Sequence, residues 1–460
     1  MRSWTRRRFL QTSATFFGAG LTHKVWSRGV TLDLVADPNQ LIDLPDGFSY
    51  QVISENGAMM SDGYKVPGLA DGMAAFSRQD GRIVLIRNHE IMPFEFHYQP
   101  FIDDAQKARL NPELVYDYGG GETPGLGGTT TLVFNPKTKT VEEEYLSLLG
   151  TEVNCAGGTT PWGTWVSCEE TSNKAGVGTD EVKRFRLLRS TREKNHGYNF
   201  EVSPDSKGLS QPIPLQAMGR FDHEAIAVEP KTGTVYQTED RNDGLFYRFL
   251  PKQPGNLTQG GKLQALTLKN WSSQDTRNWS AKQTFPLNQR FEAQWITMED
   301  PNALETELRF QGKKKNATIF ARAEGICVHD GRYYFTCTTG GKNKHGQIFC
   351  LTPGAINGDS ADHLTLVVES QNPEDLRRPD NITSTPWGDI FVCEDAGDKS
   401  SLIGLTAEGQ LYPFAHAPYK GSELAGACFD ATGQLLFINI QQPGITLVIT
   451  GPWDKLSKTG

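Results

Sequence analysis

The chain has 460 residues, of which 37% are hydrophobic, and a formal net charge of −8 at pH 7. Its 47 glycines and 25 prolines favour short strands joined by turns, which is typical of an all-β protein. No apolar stretch approaches the length that spans a membrane, and the acidic balance argues against binding to nucleic acid or to anionic membranes.

The N-terminus reads MRSWTRRRFLQTSATFFGAGL. Thr5 to Leu10 fits the twin-arginine export signal, and an apolar run follows from Thr12 to Leu21; a basic amphipathic start is the alternative. We predict a signal peptide over residues 1–28, transit through the twin-arginine translocase, and a periplasmic or secreted protein. Removal of residues 1–27 takes away five basic residues and no acid, so the formal charge moves from −8 to −13. The twin-arginine route carries folded proteins, often with metal in place, which favours an exported metalloprotein.

Six segments of the remaining chain share one pattern, in which a short strand, a turn with glycine and a second strand are flanked by polar or acidic residues. Their glycines stand where a hairpin needs a residue that tolerates positive φ. Repeated hairpins at loose intervals predict a six-bladed β-propeller with long inter-strand insertions, as a single domain over residues 40–450. A β-sandwich is the alternative, but it does not explain six similar hairpins. The segments are 72–90, 155–170, 223–240, 323–341, 380–397 and 424–444.

Acidic residues recur at the same phase of this repeat. In a propeller the first strand of a blade starts near the axis and the second returns to the same face, so residues before the first strand and after the second converge. The residues before first strands are Cys155, Glu224, Glu324, Asp380 and Asn381. The residues after second strands are Asn88, Glu90, Glu169, Glu170, Glu239, Asp240, Glu394 and Asp395, with Asn439 and Gln441 in the sixth segment.

So many carboxylates at one face cannot all stay ionised without cations, and carboxylate and amide oxygens prefer hard ions, calcium above all. A solvated strand end is the alternative for any single acid, but it does not account for the shared phase. The predicted oxygen ligands are Glu90, Glu169, Glu170, Glu224, Asp240, Glu324, Asn381, Glu394 and Asp395.

Cys155 differs from the other six cysteines because it occupies the axial position where other segments have acids. A thiolate is a soft ligand that selects iron, copper or zinc over calcium. The sequence therefore predicts one transition metal at Cys155 with calcium beside it, against the alternative of a lone buried cysteine. Cys168, Cys337 and Cys393 occupy matching places in second strands and are interpreted as core residues.

Two arginines accompany the predicted acids. Arg322 stands two residues before Glu324 and should reach the same face, where a guanidinium is suited to bind a phosphate or a carboxylate. Arg241 follows Asp240 directly. For each arginine, an ion pair with a spare carboxylate is the alternative.

The twin-arginine signal and five internal motifs resemble those of the PhoX-type alkaline phosphatases, over about residues 40 to 445. The motifs are LIRNHE, NCAGGTTPWGTWVSCEE, DHEAIAVEPKTGTVYQTEDRNDGLFYRFLP, ARAEGI and PDNITSTPWGDIFVCEDAG. The resemblance implies a six-bladed propeller whose axial site holds two iron(III) ions and calcium ions around a bridging oxo group.

The resemblance also implies roles for particular residues. The family's iron-binding cysteine matches Cys155, and its substrate-contacting arginine with a ligand glutamate two residues later matches Arg322 and Glu324. The other implied carboxylate ligands match Glu169 or Glu170, Glu224, Asp240, and Glu394 or Asp395.

We therefore predict an exported, monomeric phosphomonoesterase that uses iron(III) and calcium to hydrolyse small phosphate monoesters. Arg322 would hold a phosphoryl oxygen, and Asn154 would help to orient Cys155 or the phosphate. Two alternatives stay open at this point. One is a calcium-stabilised, non-catalytic propeller that binds a surface partner, and the other is a propeller hydrolase of another ester.

Replacement of both Arg6 and Arg7 by lysine should leave the protein in the cytoplasm, because the translocase reads the arginine pair. The measurement is fractionation of cells that produce the R6K/R7K variant beside the unaltered chain. Normal delivery of the variant to the periplasm or the medium would show that the targeting prediction is wrong.

Overall fold

The computed structural model describes residues 32–121, 123–182, 186–280, 284–358, 360–421 and 423–458. The predicted signal peptide over 1–28 lies outside these residues. Most of the regular structure is β-strand, and no helix in the described ranges is both long and apolar enough to cross a membrane. The α-helices are α1 (Asp104–Lys107), α2 (Leu308–Lys314) and α3 (Gly354–Asn357).

The strands form antiparallel sheets that follow one another along the chain. A short pair, β1 (Leu34–Val35) and β2 (Leu44–Pro45), precedes β3 (Ser49–Glu55). The next sheet consists of β4 (Ala70–Ser77), β5 (Ile83–His89), β6 (Gly127–Asn135) and β7 (Thr140–Thr151). It is followed by β8 (Asn154–Thr159), β9 (Trp165–Glu169), the inserted hairpin of β10 (Gly176–Val182) and β11 (Arg186–Arg192), and β12 (Asn199–Val202), which pairs with β9.

The second half of the chain continues the same arrangement. A nine-stranded sheet forms because β17 pairs with both β16 and β21. Its first members are β13 (His223–Val228), β14 (Val235–Glu239), β15 (Phe246–Pro251), β16 (Gly261–Leu268) and β17 (Arg290–Thr297). The others are β18 (Ala323–His329), β19 (Arg332–Cys337), β20 (Gln347–Thr352) and β21 (Asp362–Glu369). The last two sheets contain β22 (Pro379–Ser384), β23 (Ile390–Glu394), β24 (Asp398–Leu405) and β25 (Leu411–Lys420), then β26 (Leu424–Phe429), β27 (Leu436–Ile440) and β28 (Ile445–Thr450).

The hairpins that the sequence predicts are confirmed as antiparallel pairs. They are β4–β5, β8–β9, β13–β14, β18–β19, β22–β23 and β26–β27. Their first strands contact one another in the order β4, β8, β13, β18, β22 and β26, and β26 contacts β4 again. This closed circle of inner strands is a propeller-like arrangement. It is completed by β3, which pairs with β28, so the last sheet combines segments from near both ends of the chain.

Apolar side chains pack between neighbouring sheets. Phe246, Phe335 and Phe349 stack in one such layer, with centroid distances of 4.5 Å and 5.3 Å. Cys168 and Cys393 are fully buried within other apolar clusters, which confirms their interpretation as core residues. The sheets are therefore fixed relative to one another, and this rigidity positions the inner strands.

A β-bulge lies near the start of each inner strand, where two residues face one residue of the second strand. In β4 the bulge lies between Ala70 and Met73, and in β18 between Ala323 and Ile326. The bulges of β8, β13 and β22 have the same position, and that of β26 comes one residue later. A bulge interrupts the alternation of side chains, so it can direct one residue out of the sheet toward the axis.

Polar side chains of the second strands bind the bulged backbone of the next hairpin. Asn88 donates from Nδ2 to the carbonyls of Cys155 and Ala156, at 3.1 Å and 2.6 Å. Thr238 donates from Oγ1 to the carbonyl of Glu324 at 2.5 Å, and Asn439 donates from Nδ2 to the carbonyl of Asp71 at 2.5 Å. The bulged residues at the centre are thus held by buried hydrogen bonds between sheets.

Candidate metal centre

The first residue of the bulge faces the axis in five of the hairpins. These residues, called the bulge residues here, are all buried: Asp71, Cys155, Glu224, Glu324 and Asp380. The ligand atoms of Cys155, Glu170 and Glu224 lie within 4.8 Å of one another, and so do those of Glu224, Glu324 and Asp380. Glu224 belongs to both groups and therefore joins them.

The residue that follows each second strand forms a second layer above the bulge residues. Its backbone N–H donates to the carbonyl of the residue two positions before the bulge residue, as Glu170 does to Val153 at 2.8 Å. Four of these hairpin-end residues are acids, namely Glu90, Glu170, Asp240 and Asp395. Glu90, Glu170 and Asp395 keep some exposure, whereas the bulge residues keep almost none, so the hairpin-end acids line the mouth of the site.

The acidic doublets divide their roles in the same way each time. Glu169 accepts hydrogen bonds from the backbone N–H groups of Glu152, Gly197 and Tyr198 at 2.8–3.1 Å. Glu394 likewise accepts from the N–H groups of Arg377 and Ser401. The carboxylates of Glu169 and Glu394 thus hold loops, whereas Glu170 lies beside Cys155 and Glu224, so the structure favours Glu170 and Asp395 as the members of the doublets that could be ligands.

Two amides among the predicted residues also have other partners. Asn154 is fully buried, accepts from the Thr151 hydroxyl at 2.6 Å and donates to the Ser167 hydroxyl at 2.9 Å. Both polar atoms are thus used within the hairpin, so the expected contact of Asn154 with a phosphate is not supported. Asn381 accepts at its oxygen from the Gly426 N–H at 2.7 Å and donates to Asp380 at 3.0 Å, which makes it a positioning residue for Asp380.

Two acids at the axis were missed by the sequence interpretation. Asp71 is a bulge residue, and its Oδ1 is buried with no hydrogen-bond partner among the described residues. Glu423 is the second, and it hydrogen bonds to Asp380. It lies two positions before Ala425, which stands in the sixth hairpin where other hairpins have an acid. Alignment of Ala70–Met73 with Ala323–Ile326, ADGM with AEGI, is the signal that would have found Asp71.

Burial and mutual repulsion raise the pKa of the axial carboxyls. Burial, followed by the charge of Asp380, raises the pKa of Glu90 to about 7. Burial, followed by the charge of Asp395, raises the pKa of Asp380 to about 6. Burial, then Glu324 and Glu170, raises the pKa of Glu224 well above its usual value. Such a group of acids ionises fully only when cations offset the repulsion, so its chemistry fits a cluster of metal ions.

Arg322 contacts two of these acids directly. It donates from Nε and Nη2 to Asp240 at 2.8–3.1 Å, and Nη2 lies 2.6 Å from Glu324. The charge of Glu324 is the largest cause that raises the pKa of Arg322. In contrast, Arg241 forms its ion pair with Asp222, which is the alternative that the sequence left open for it.

Cys155 is the thiol that lies among the acids. Its Sγ lies 3.3 Å from the carbonyl oxygen of His223, and its side chain is buried. Burial, followed by the charges of Glu224 and Glu170, raises the pKa of this thiol well above its ordinary value. A thiolate at this position therefore needs a bound cation, and a thiolate with two carboxylates is a donor set that suits a transition metal such as iron, copper or zinc.

A buried charge network supports the mouth of the site beneath Glu170. His196 lies with Nδ1 2.6 Å from Glu169 and Nε2 3.1 Å from Asp117, and Glu152 pairs with Arg192 at 2.7 Å. Burial alone would lower the pKa of His196, but the charges of Glu169 and Glu152 and the hydrogen bond to Asp117 raise it to about 10. The His196 imidazolium thus links the segment that contains Asp117 to Glu169, at the end of β9.

Comparisons with known proteins indicate a family and a fold. The model of the family described as "Alkaline phosphatase PhoX" matches residues 31–137 and 126–444. PhoX of Pseudomonas fluorescens, solved with vanadate as a transition-state analogue, is similar over 93% of this chain and 98% of that chain, with a TM-score of 0.68 and 19% identity. A gluconolactonase from Xanthomonas campestris aligns over 87% of this chain and 95% of its own, with a TM-score of 0.35 and 13% identity, and carries no argument about function. No curated protein sequence matches the chain.

The His196 network predicts a loss of stability at alkaline pH. Because the pKa of His196 is about 10 in the folded state and ordinarily about 6.5, its contribution is fully present below pH 6.5 and is lost as the pH rises through about 10. We expect the difference in free energy of unfolding between the unaltered chain and His196→Gln to shrink as the pH is raised from about 7 to about 10.5. Denaturant titrations of both proteins across this range measure it, and a difference that stays constant would refute the protonated network.

Proposed function

The chain belongs to the PhoX family of alkaline phosphatases, and we propose that it is an exported phosphomonoesterase that hydrolyses phosphate monoesters at an axial cluster of iron and calcium ions. The observation that carries the proposal is the pair of ligand groups that share Glu224, one of which contains Cys155. A site with a thiolate and several carboxylates can bind ions of different softness side by side.

The proposal includes a six-bladed propeller within a single domain over residues 40–450. Six bulged hairpins and the closed circle of their first strands support that blade number. In the nine-stranded sheet, β17 would then be a bridging strand between two blades rather than part of either. A monomer, and export directed by residues 1–28, complete the proposal.

The donor sets suggest which residues would hold each ion. Cys155, Glu170 and Glu224 would hold iron(III), because they combine the thiolate with two carboxylates. Glu324 and Asp380, with Asp71 and its unpartnered Oδ1, would provide oxygen ligands for the other ions. When bound, the ions supply positive charge to the phosphoryl oxygens and to the charge that develops during transfer.

Arg322 would bind and orient the phosphoryl group. Asp240 and Glu324 hold its Nε and Nη2, which fixes the plane of the guanidinium, and Nη1 has no partner among the described residues. The guanidinium is thus preorganised to donate from Nη1 to a phosphoryl oxygen. Its φ of 54° is a feature of this position of the repeat, because Leu69 and Val153 have values of 48° and 51° at the equivalent positions.

Removal of metal ions should abolish the hydrolysis of p-nitrophenyl phosphate and lower the melting temperature, because ions that bind the native state stabilise it by mass action. The measurement compares purified protein before and after chelation, with metal analysis, and then after return of calcium and iron. An apo protein that melts at the same temperature as the holo protein would contradict a shared metal site. A metal-loaded protein that does not hydrolyse any phosphate monoester would contradict the proposed activity.

Cys155→Ser should lose iron and reduce phosphatase activity by orders of magnitude, because a hard, protonated hydroxyl replaces the soft thiolate. Cys168→Ser and Cys393→Ser are matched controls in the core, where each should cost about 1–3 kcal/mol of stability and leave the metal content unchanged. Metal analysis and activity assays of the three variants provide the measurement. Full iron content and full activity in Cys155→Ser would refute the role of this thiol.

A further inference from the structure

Arg322 and Arg378 occupy the same position in neighbouring hairpins. Each lies two residues before a bulge residue, and each has a positive φ, 54° for Arg322 and 50° for Arg378. The carbonyl of each accepts from the hairpin-end N–H of its own hairpin, at 2.9 Å from Thr338 and 3.0 Å from Asp395. The two arginine side chains therefore leave the backbone from equivalent points of neighbouring hairpins.

The two guanidiniums differ in their partners. Arg322 contacts the bulge residue Glu324, and its side chain is 25% exposed. Arg378 pairs with the hairpin-end residue Asp395, with Nη2 2.6 Å from Oδ2, and its side chain is 41% exposed. Within the described part of the chain, Arg378 makes no bond to a bulge residue, and its Nε has no partner.

Asp395 places Arg378 at the edge of the same cluster. The charge of Asp395 contributes to the raised pKa values of both Glu324 and Asp380, so its partner lies close to these acids. Arg378 is nevertheless farther out than Arg322, because its contact is in the outer layer and its exposure is larger. In the proposed function the ions and Arg322 hold the phosphoryl group at the centre, so the alcohol part of the substrate would extend outward, toward the layer in which Arg378 is exposed.

We propose that Arg378 binds a carboxylate carried by the alcohol part of the substrate, so that the enzyme prefers phosphate monoesters of carboxylate-bearing alcohols. The inference rests on the proposed function. Nη2 of Arg378 is used by Asp395 and its Nε is buried, whereas the side chain as a whole is 41% exposed, which leaves Nη1 as the donor for a charge-assisted hydrogen bond to a ligand. A singly charged carboxylate suits this arginine better than a dianion does, because Asp395 already offsets part of its charge.

The test compares 3-carboxyphenyl phosphate with phenyl phosphate in the metal-loaded full-length chain, using the ratio of their kcat/KM values. Comparison of one substrate pair across variants cancels the intrinsic reactivity of the two esters. Arg378→Gln should lower the ratio about tenfold or more, and Arg378→Lys should lower it less. Arg241→Gln is the matched control, because Arg241 is also an arginine at the mouth, 42% exposed and paired with Asp222, and its loss should leave the ratio unchanged.

An unchanged ratio in Arg378→Gln would overturn the inference, and so would an equal fall in Arg241→Gln, which would indicate a general effect of positive charge. Hydrolysis of neither ester by the unaltered chain would overturn the proposed function instead. In that case, calorimetric affinities of benzylphosphonate and 3-carboxybenzylphosphonate still decide. A preference for the carboxylated ligand that is lost in Arg378→Gln supports the inference, and equal affinities refute it.

Discussion

Mutual repulsion among buried carboxyl groups is the constraint that the rest of this structure has to satisfy. The acids that share the axis are Asp71, Glu90, Glu170, Glu224, Asp240, Glu324, Asp380, Asp395 and Glu423. Repulsion of this kind pushes side chains apart unless the backbone that carries them is rigid. The buried hydrogen bonds of Asn88, Thr238 and Asn439 to neighbouring bulges supply that rigidity. The packed sheets therefore hold the acids together, and bound cations would relieve their repulsion.

Equivalent positions of the repeated hairpin have equivalent structural roles. The bulge residue is an acid or a thiol in five hairpins, the hairpin-end residue is an acid in four, and an acid directly before the hairpin end anchors a loop. Glu169 and Glu394 illustrate the third role, because each carboxylate accepts two or more backbone N–H groups that no strand could satisfy. Close approach of the inner strands imposes a further condition. A Cβ on Gly325 would lie 2.6 Å from the carbonyl oxygen of Asp380, so this bulge position has no room for a side chain.

Periodicity in the sequence was sufficient to predict the hairpins, their convergence and the special position of Cys155. It was not sufficient to choose between Glu169 and Glu170, because that choice depends on the residue at which the strand ends and the chain turns. The sequence interpretation missed Asp71 because the predicted first segment starts at Gly72, one residue too late. Glu423 could not be found from the phase of the acids at all. It stands at the position of Arg322 and Arg378, two residues before Ala425, and the bulge of β26 begins one residue later than in the other hairpins, at Gly426.

The hairpins differ from one another at a few positions, and these differences set the chemical character of the site. A perfect repeat would place the same side chain at every point of the ring. Cys155 replaces an acid and makes one corner of the ring softer, and Ala425 removes a ligand from the sixth hairpin. Two neighbouring hairpins have an arginine two residues before the bulge residue. The other four hairpins have apolar or acidic residues at that position, namely Leu69, Val153, Asp222 and Glu423. Positive charge at the mouth is thus concentrated beside Glu324 and Asp380, away from Cys155 by one hairpin or more. This asymmetry would attract an anion to one side of the ring and would give a bound phosphate ester a direction that the fold alone does not provide.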